Sequence, residues 1–130
     1  MIVTDASVIL DLLLNTPAAG RIKSRLFDTG ETLHAPALLD LEITQVLRRH
    51  ASRREISPEW GRSALAVLAR FPITRYPHEP LLTRIWELRA NLTAYDAAYI
   101  ALAEGLDATF LTRDTRAASA PMHRATVEVL

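Results

Sequence analysis

An α/β fold, with a mostly parallel central sheet of four to five strands and helices on both faces, is predicted by three observations. Short apolar runs of strand length alternate with longer segments of helical period along the chain. Two of those runs, Met1-Ile2-Val3-Thr4 and Ala108-Thr109-Phe110-Leu111-Thr112, are followed at once or within two residues by an aspartate, Asp5 and Asp114. Serine, proline and glycine fall where helices would begin and end.

The elements follow in order. Residues 1–5 read as a buried first strand. Ser7 to Asn15 is helical and almost wholly apolar, so it needs burial or a covering partner. Thr16-Pro17 breaks that helix, and 18–28 continues as a second one ending near Gly30. A short strand at 32–34 leads through Ala35-Pro36 into a helix over 37–51. Ser57-Pro58-Glu59 supplies an N-cap serine and a proline at the first helical position, opening a helix that reaches Arg70. Ile73 to Tyr76 is the next strand and 79–91 the next helix. Thr93 opens a helix through Glu104 that Gly105 should stop. Strand 108–112, a short helix from Asp114 and a strand over 125–129 complete the pattern.

The chain has 130 residues, 49% apolar and 23% charged, which fits one domain with a real core. No apolar stretch approaches the roughly 20 residues of a membrane span, and no secretory signal is visible. With no cysteine, disulfides and zinc-thiolate sites are excluded, which fits a cytoplasmic protein. Basic and acidic residues balance at 15 each, so net charge does not advertise a nucleic-acid partner. All the basic residues but Lys23 are arginine, a bias compatible with bidentate phosphate contacts.

Four acids carry the functional reading: Asp5, Glu42, Asp96 and Asp114. Asp5 and Asp114 fall at strand C-terminal ends, the edge where open parallel sheets bind ligands. Glu42 and Asp96 lie in helical segments beside apolar residues. Carboxylates crowded together repel unless a cation holds them, and hard oxygen donors suit Mg²⁺ or Mn²⁺. Structural duties compete with this reading. Asp5 and Asp114 could each cap the following helix, and Thr93-Ala94-Tyr95-Asp96 resembles a capping box. Glu42 is harder to explain that way, because it borders the apolar row Leu39, Ile43 and Leu47, with Arg49 two turns away. Asp11 shares a polar strip with Ser7 and Asn15, Asp40 lies off the Glu42 face, and Asp107 fits a turn after Gly105. Arg48, Arg49, Arg53 and Arg54 crowd one helix end, where cations favour the dipole. His34, His50, His78 and His123 lack metal-ligand spacing and read as surface or boundary residues. Phosphate-binding glycine loops, nucleophile elbows and zinc-protease motifs are absent.

These acids in their surroundings resemble the PIN-domain ribonucleases, especially the VapC toxins of bacterial toxin–antitoxin pairs. Ile2 through Leu10 is similar to that family's first strand and first acid. Ala35-Pro36 through Leu41-Glu42-Ile43, on to Arg49, is similar to its second-acid helix. Leu92 through Ala103 resembles its third-acid helix, and Phe110-Leu111-Thr112-Arg113-Asp114 its closing strand and last acid. Gln45 departs from the pattern, since many relatives have asparagine three residues after the glutamate.

The resemblance implies a PIN-like fold over 1–130, in a minimal toxin without an appended domain. It implies a cytoplasmic Mg²⁺- or Mn²⁺-dependent endoribonuclease in which Asp5, Asp96 and Asp114 hold the metal and Glu42 completes or orients the shell. Ser7 and Thr112 match small polar positions that would contact water or metal. Metal-activated water would attack phosphorus in line, leaving a 5′-phosphate and a 3′-hydroxyl. Expected partners are RNA, a cognate VapB-type antitoxin bound in an apolar groove between the first helix and the helix after Pro36, and a second copy in a homodimer. A catalytically silent module that binds RNA or protein is the alternative from another class. A haloacid-dehalogenase-like phosphatase fits less well, because Ser7 stands where its second aspartate belongs. A response-regulator receiver fits less well because Lys23 is early and alone.

Overall fold

Asp5 and Asp114 emerge side by side because the strands that precede them are hydrogen-bonded neighbours. The computed structural model describes all of residues 1–130. It contains β1 (Ile2–Thr4), α1 (Ala6–Leu13), α2 (Ala19–Phe27), β2 (Leu33–Pro36), α3 (Leu38–Ser52) and α4 (Pro58–Arg70). Then come β3 (Ile73–Tyr76), a 3₁₀ turn (Glu79–Leu81), α5 (Leu82–Glu87), α6 (Ala94–Leu106), β4 (Thr109–Thr112), α7 (Thr115–Ser119) and β5 (Val127–Val129). The five strands form one sheet in the order β3-β2-β1-β4-β5, and every pairing is parallel.

Chain order reverses direction across β1, which pairs with β2 on one side and β4 on the other. Such a switch point opens a crevice at the carboxyl ends of the two strands concerned. Ile2, Val3 and Thr4 are all fully buried, although alternate strand residues point to opposite faces. Both faces of β1 are therefore covered, which explains why its sequence is continuously apolar rather than alternating. On one side α6 packs along β1, β2 and β4, while α1 packs against α2, α3 and α4.

Several boundaries differ from the sequence reading for identifiable reasons. The second strand runs on through Ala35-Pro36, because its partner β3 continues in register to Pro36↔Tyr76. Gly105 does not stop α6; the helix passes through it and ends at Asp107, which takes the left-handed conformation (φ 49°) as C-cap. There the Ala108 N–H reaches back to the Ala103 carbonyl at 2.9 Å. The helix expected over 79–91 is only six residues long. Its exit tightens into i→i+3 bonds, from Arg89 N–H to Trp86 and from Asn91 N–H to Leu88.

His34 corrects the boundary reading given to the histidines. It lies inside β2 at 7% exposure, with one ring nitrogen 2.8 Å from Thr32 Oγ1 and the other 2.7 Å from Tyr76 Oη. Burial pushes its pKa below the ordinary histidine value. Leu38, outside the row Leu39, Ile43 and Leu47, is also buried, whereas Leu41 is 74% exposed.

Candidate active site

Asp5 sits at the carboxyl end of β1 and caps α1, accepting the Val8 N–H at 3.3 Å. The capping duty is therefore real, and it uses only part of the carboxylate. Ser7 Oγ donates to the same oxygen at 2.5 Å, and Thr112 Oγ1 donates to the other at 2.5 Å. Each hydroxyl also accepts a backbone N–H from the β4–α7 turn, Ser7 from Arg113 at 3.1 Å and Thr112 from Asp114 at 3.0 Å. Ser7 and Thr112 thus bind the two turns that meet at the switch point. No basic side chain touches Asp5, and burial raises its pKa despite the hydroxyl donors that pull the other way.

Glu42 stands on α3 beside the buried row Leu39, Ile43 and Leu47. It is half-buried, and its Oε1 accepts a 2.6 Å hydrogen bond from Tyr99 Oη on α6. Burial raises its pKa, and the charges of Asp5 and Asp96 push it further in the same direction. Asp96 occupies the first turn of α6, three residues after the N-cap Thr93, and its side chain is exposed. Asp5, Glu42 and Asp96 therefore share one electrostatic field around Tyr99, whose own pKa burial and these acids drive upward.

Asp114 stands apart. It caps α7 by accepting the Arg116 N–H at 2.9 Å, and the Arg116 guanidinium holds its carboxylate at 2.7–3.1 Å. That pairing lowers its pKa. As the side chains stand, no three acids are close enough together to form a metal shell. The fold brings the four acids to one end of the sheet and α6 without closing them on a common point.

The donor set nevertheless suits a hard divalent cation. Two desolvated carboxylates, Asp5 and Glu42, have only hydroxyl and amide donors and no cationic partner. A buried acid in that position is costly unless it is neutralised. Asp96 is exposed at the mouth, and Asp114 is held by an arginine whose side chain is 85% exposed and can turn away.

Other expectations resolve differently. Asp11 does more than line a polar strip: it pairs with Arg113 Nε at 3.0 Å and accepts from Thr16 Oγ1 at 2.7 Å, fixing α1 to the turn before Asp114. Asp40 is held by Arg75 in a two-point ion pair on the far side of α3. Gln45 is exposed, and its side-chain oxygen accepts from Arg48. Tyr99 was not singled out from sequence. The available signal was a lone hydroxyl within the apolar run Ala97–Ala103, one turn beyond Asp96 on the same helix face.

An apolar groove borders α1. It runs between α1 and α4, with a volume of about 200 Å³, lined by Leu12 and Leu13 facing Trp60, Ala64, Val67 and Phe71. On α3, Leu38 is buried and Leu41 is exposed.

Comparison with known proteins agrees with this geometry. The family model described as "PIN domain" matches residues 2–121. The VapC ribonuclease Mb0985 of Mycobacterium bovis is 48% identical over 116 residues, 89% of this chain and 87% of that protein. Ribonuclease VapC12 of Mycobacterium tuberculosis is 39% identical over 130 residues, 100% of this chain and 99% of the relative. Among solved structures, VapBC2 from Rickettsia felis, bound to a DNA fragment from its promoter, superposes with a TM-score of 0.75 at 14% identity. The match covers 99% of this chain and 98% of that one. PAE2754 from Pyrobaculum aerophilum gives 0.70 at 22% identity, covering 98% and 83%.

Proposed function

The chain belongs to the PIN-domain family, and we propose that it is a single PIN domain acting as a Mg²⁺- or Mn²⁺-dependent endoribonuclease, the toxin of a toxin–antitoxin pair. The observation that carries this reading is the desolvated, cation-free pair Asp5 and Glu42 at the switch-point crevice, with Asp96 and Asp114 at its rim. The full-length similarity to ribonucleases of the VapC type supports the substrate class.

In this reading Asp5, Asp96 and Asp114 hold the ion and Glu42 completes the shell. The ion, when bound, supplies positive charge that activates water and neutralises charge developing on the phosphate. The chain's own residues do the rest. Ser7 and Thr112 fix both oxygens of Asp5, so its carboxylate is oriented before any ligand arrives. The Asp11–Arg113 pair anchors the turn that carries Asp114. Arg116 is a local counterion of Asp114, and its exposed side chain leaves that carboxylate free to serve a cation. Attack at phosphorus would leave a 5′-phosphate and a 3′-hydroxyl and requires no histidine.

The α1–α4 groove suits an amphipathic segment of a VapB-type antitoxin, with Trp60 and Val67 as exposed apolar anchors. Solved neighbours include complexes of VapBC from Salmonella typhimurium and of VapBC2, which supports a partner of that class. A homodimer is proposed with it. Trp86, 68% exposed, and Leu41 leave further apolar surface for self-association. No helix is long and apolar enough to cross a membrane.

The silent-module alternative has one specific observation in its favour, the occupation of Asp114 by Arg116. RNA cleavage titrated with Mg²⁺ and Mn²⁺, in wild type and Asp5→Asn, separates the two. Metal-dependent 5′-phosphate ends that vanish in the variant support the enzyme. RNA binding without cleavage at any metal concentration supports the module.

A further inference from the structure

Tyr99 is the largest fully buried side chain in the protein, at 1% exposure, and the only residue of the Ala97–Ala103 run with a polar side chain. A tyrosine buried this deeply must place its hydroxyl against a partner. That partner is Glu42 Oε1 at 2.6 Å, and no other protein group hydrogen-bonds the Glu42 carboxylate. The ring is locked from behind by near-parallel stacking on Phe110 of β4, with centroids 5.7 Å apart and planes 14° apart. Phe110 lies two residues before Thr112 on the same strand, hence on the same face of the sheet. Tyr99 therefore joins the strand that ends at the Asp5 contact to the helix that carries Glu42, through one rigid ring.

We propose that Tyr99 is a positioning residue for Glu42, donating its hydroxyl to Oε1 so that the glutamate is held ready to complete the cation shell. This rests on the metal-dependent reading above. A simpler role, filling the core, would need only the ring; phenylalanine would serve equally. The hydroxyl is what the core does not require. Glu42 has one oxygen fixed and the other without a protein partner, the arrangement in which an outer donor orients a ligating carboxylate.

The test is Tyr99→Phe, which keeps the ring and its stacking and removes only the hydroxyl. Mn²⁺ affinity is measured by titration calorimetry on wild type, Tyr99→Phe, Glu42→Gln and the double variant, with thermal melts in chelator as a fold control. Mn²⁺ binding should weaken about 10-fold or more in Tyr99→Phe, the range seen when an outer partner of a ligand is removed. In the Glu42→Gln background the same change should have almost no further effect, because the two act as one unit. Undiminished Mn²⁺ affinity in Tyr99→Phe would overturn the inference, as would an equal loss in both backgrounds, which would mark a structural effect. Wild type that binds no Mn²⁺ and cleaves no RNA would instead overturn the metal-dependent reading itself.

Discussion

Thr112→Val and Thr4→Val apply the same chemical change at two fully buried strand positions, and their effects should have opposite signs. Valine matches threonine in shape, so neither substitution opens a cavity. Thr112 Oγ1 donates to Asp5 Oδ2 at 2.5 Å and accepts the Asp114 N–H at 3.0 Å. Losing a hydrogen bond to a carboxylate costs ~1.5–3 kcal/mol, and an orphaned, part-buried N–H adds up to ~1 kcal/mol. The sum, about 3 kcal/mol, corresponds to a fall in the melting midpoint on the order of 10 °C for a chain of this size. Thr4 Oγ1 is equally buried and has no hydrogen-bond partner. Its removal should stabilise by about 1 kcal/mol, since a buried unsatisfied hydroxyl is a cost that valine does not carry. The assay is chemical and thermal denaturation in chelator at neutral pH and again at about pH 3. The deficit of Thr112→Val should narrow in acid. Losing a donor raises the folded-state pKa of Asp5 further, so the penalty is present above that pKa and fades as pH falls through it. Two variants that shift stability in the same direction, or a Thr112→Val loss under about 1 kcal/mol, would refute the network assigned to Asp5.

Asp5→Asn, Asp96→Asn and Asp114→Asn should each abolish RNA cleavage without unfolding the protein, as checked by product analysis beside circular dichroism. Glu42→Gln should weaken Mn²⁺ binding without lowering the melting midpoint in chelator; wild-type affinity would remove Glu42 from the site. The pH profile of the metal-free protein should carry two opposed contributions. The raised pKa values of Asp5 and Glu42 withhold stability increasingly as pH rises above the ordinary carboxylate value, so Glu42→Gln, whose Oε1 can still accept from Tyr99, should be more stable than wild type at pH 7 and lose that advantage in acid. Glu104, lowered first by its hydrogen bonds from Arg84, contributes stability above the ordinary carboxylate value that is lost as pH falls, a loss that Arg84→Met should reduce, with the Arg124 N–H still holding the carboxylate. Trp60→Ala should weaken capture of a cognate VapB-type antitoxin at least 10-fold while leaving RNA cleavage intact, and sedimentation at tens of micromolar should show a dimer in both proteins.

Asp5 and Asp114 were legible in the sequence because strand-length apolar runs ending in an acid mark the carboxyl edge of a parallel sheet. That edge is where the structure puts both residues. Glu42 was legible from its place at the rim of an apolar helical row. Ser7 and Thr112 came from the family resemblance, and the structure gives them a physical task on Asp5. What pattern could not supply were contacts between elements far apart in sequence. Tyr99 reaches Glu42 across 57 positions, and helical period alone assigns a tyrosine in an alanine-rich run to the core. The apolar cavity between α1 and α4 was not legible, because Leu12 and Leu13 meet Trp60 and Val67 only once the chain is folded. Gly105 misled because a C-terminal stop depends on which residue takes the left-handed conformation, and here it is Asp107. The Arg116 clamp on Asp114 depends on a side-chain rotamer, which no periodicity encodes.

Direct measurement of RNA cleavage against metal concentration tests the central claim, with Asp5→Asn as the paired control. Wild type should produce no fragments in chelator, then 5′-phosphate, 3′-hydroxyl ends that rise with added Mg²⁺ or Mn²⁺ and saturate, while Asp5→Asn stays silent throughout. Cleavage that persists in chelator, or that survives intact in Asp5→Asn, would contradict the assignment of these acids to a metal-dependent nuclease.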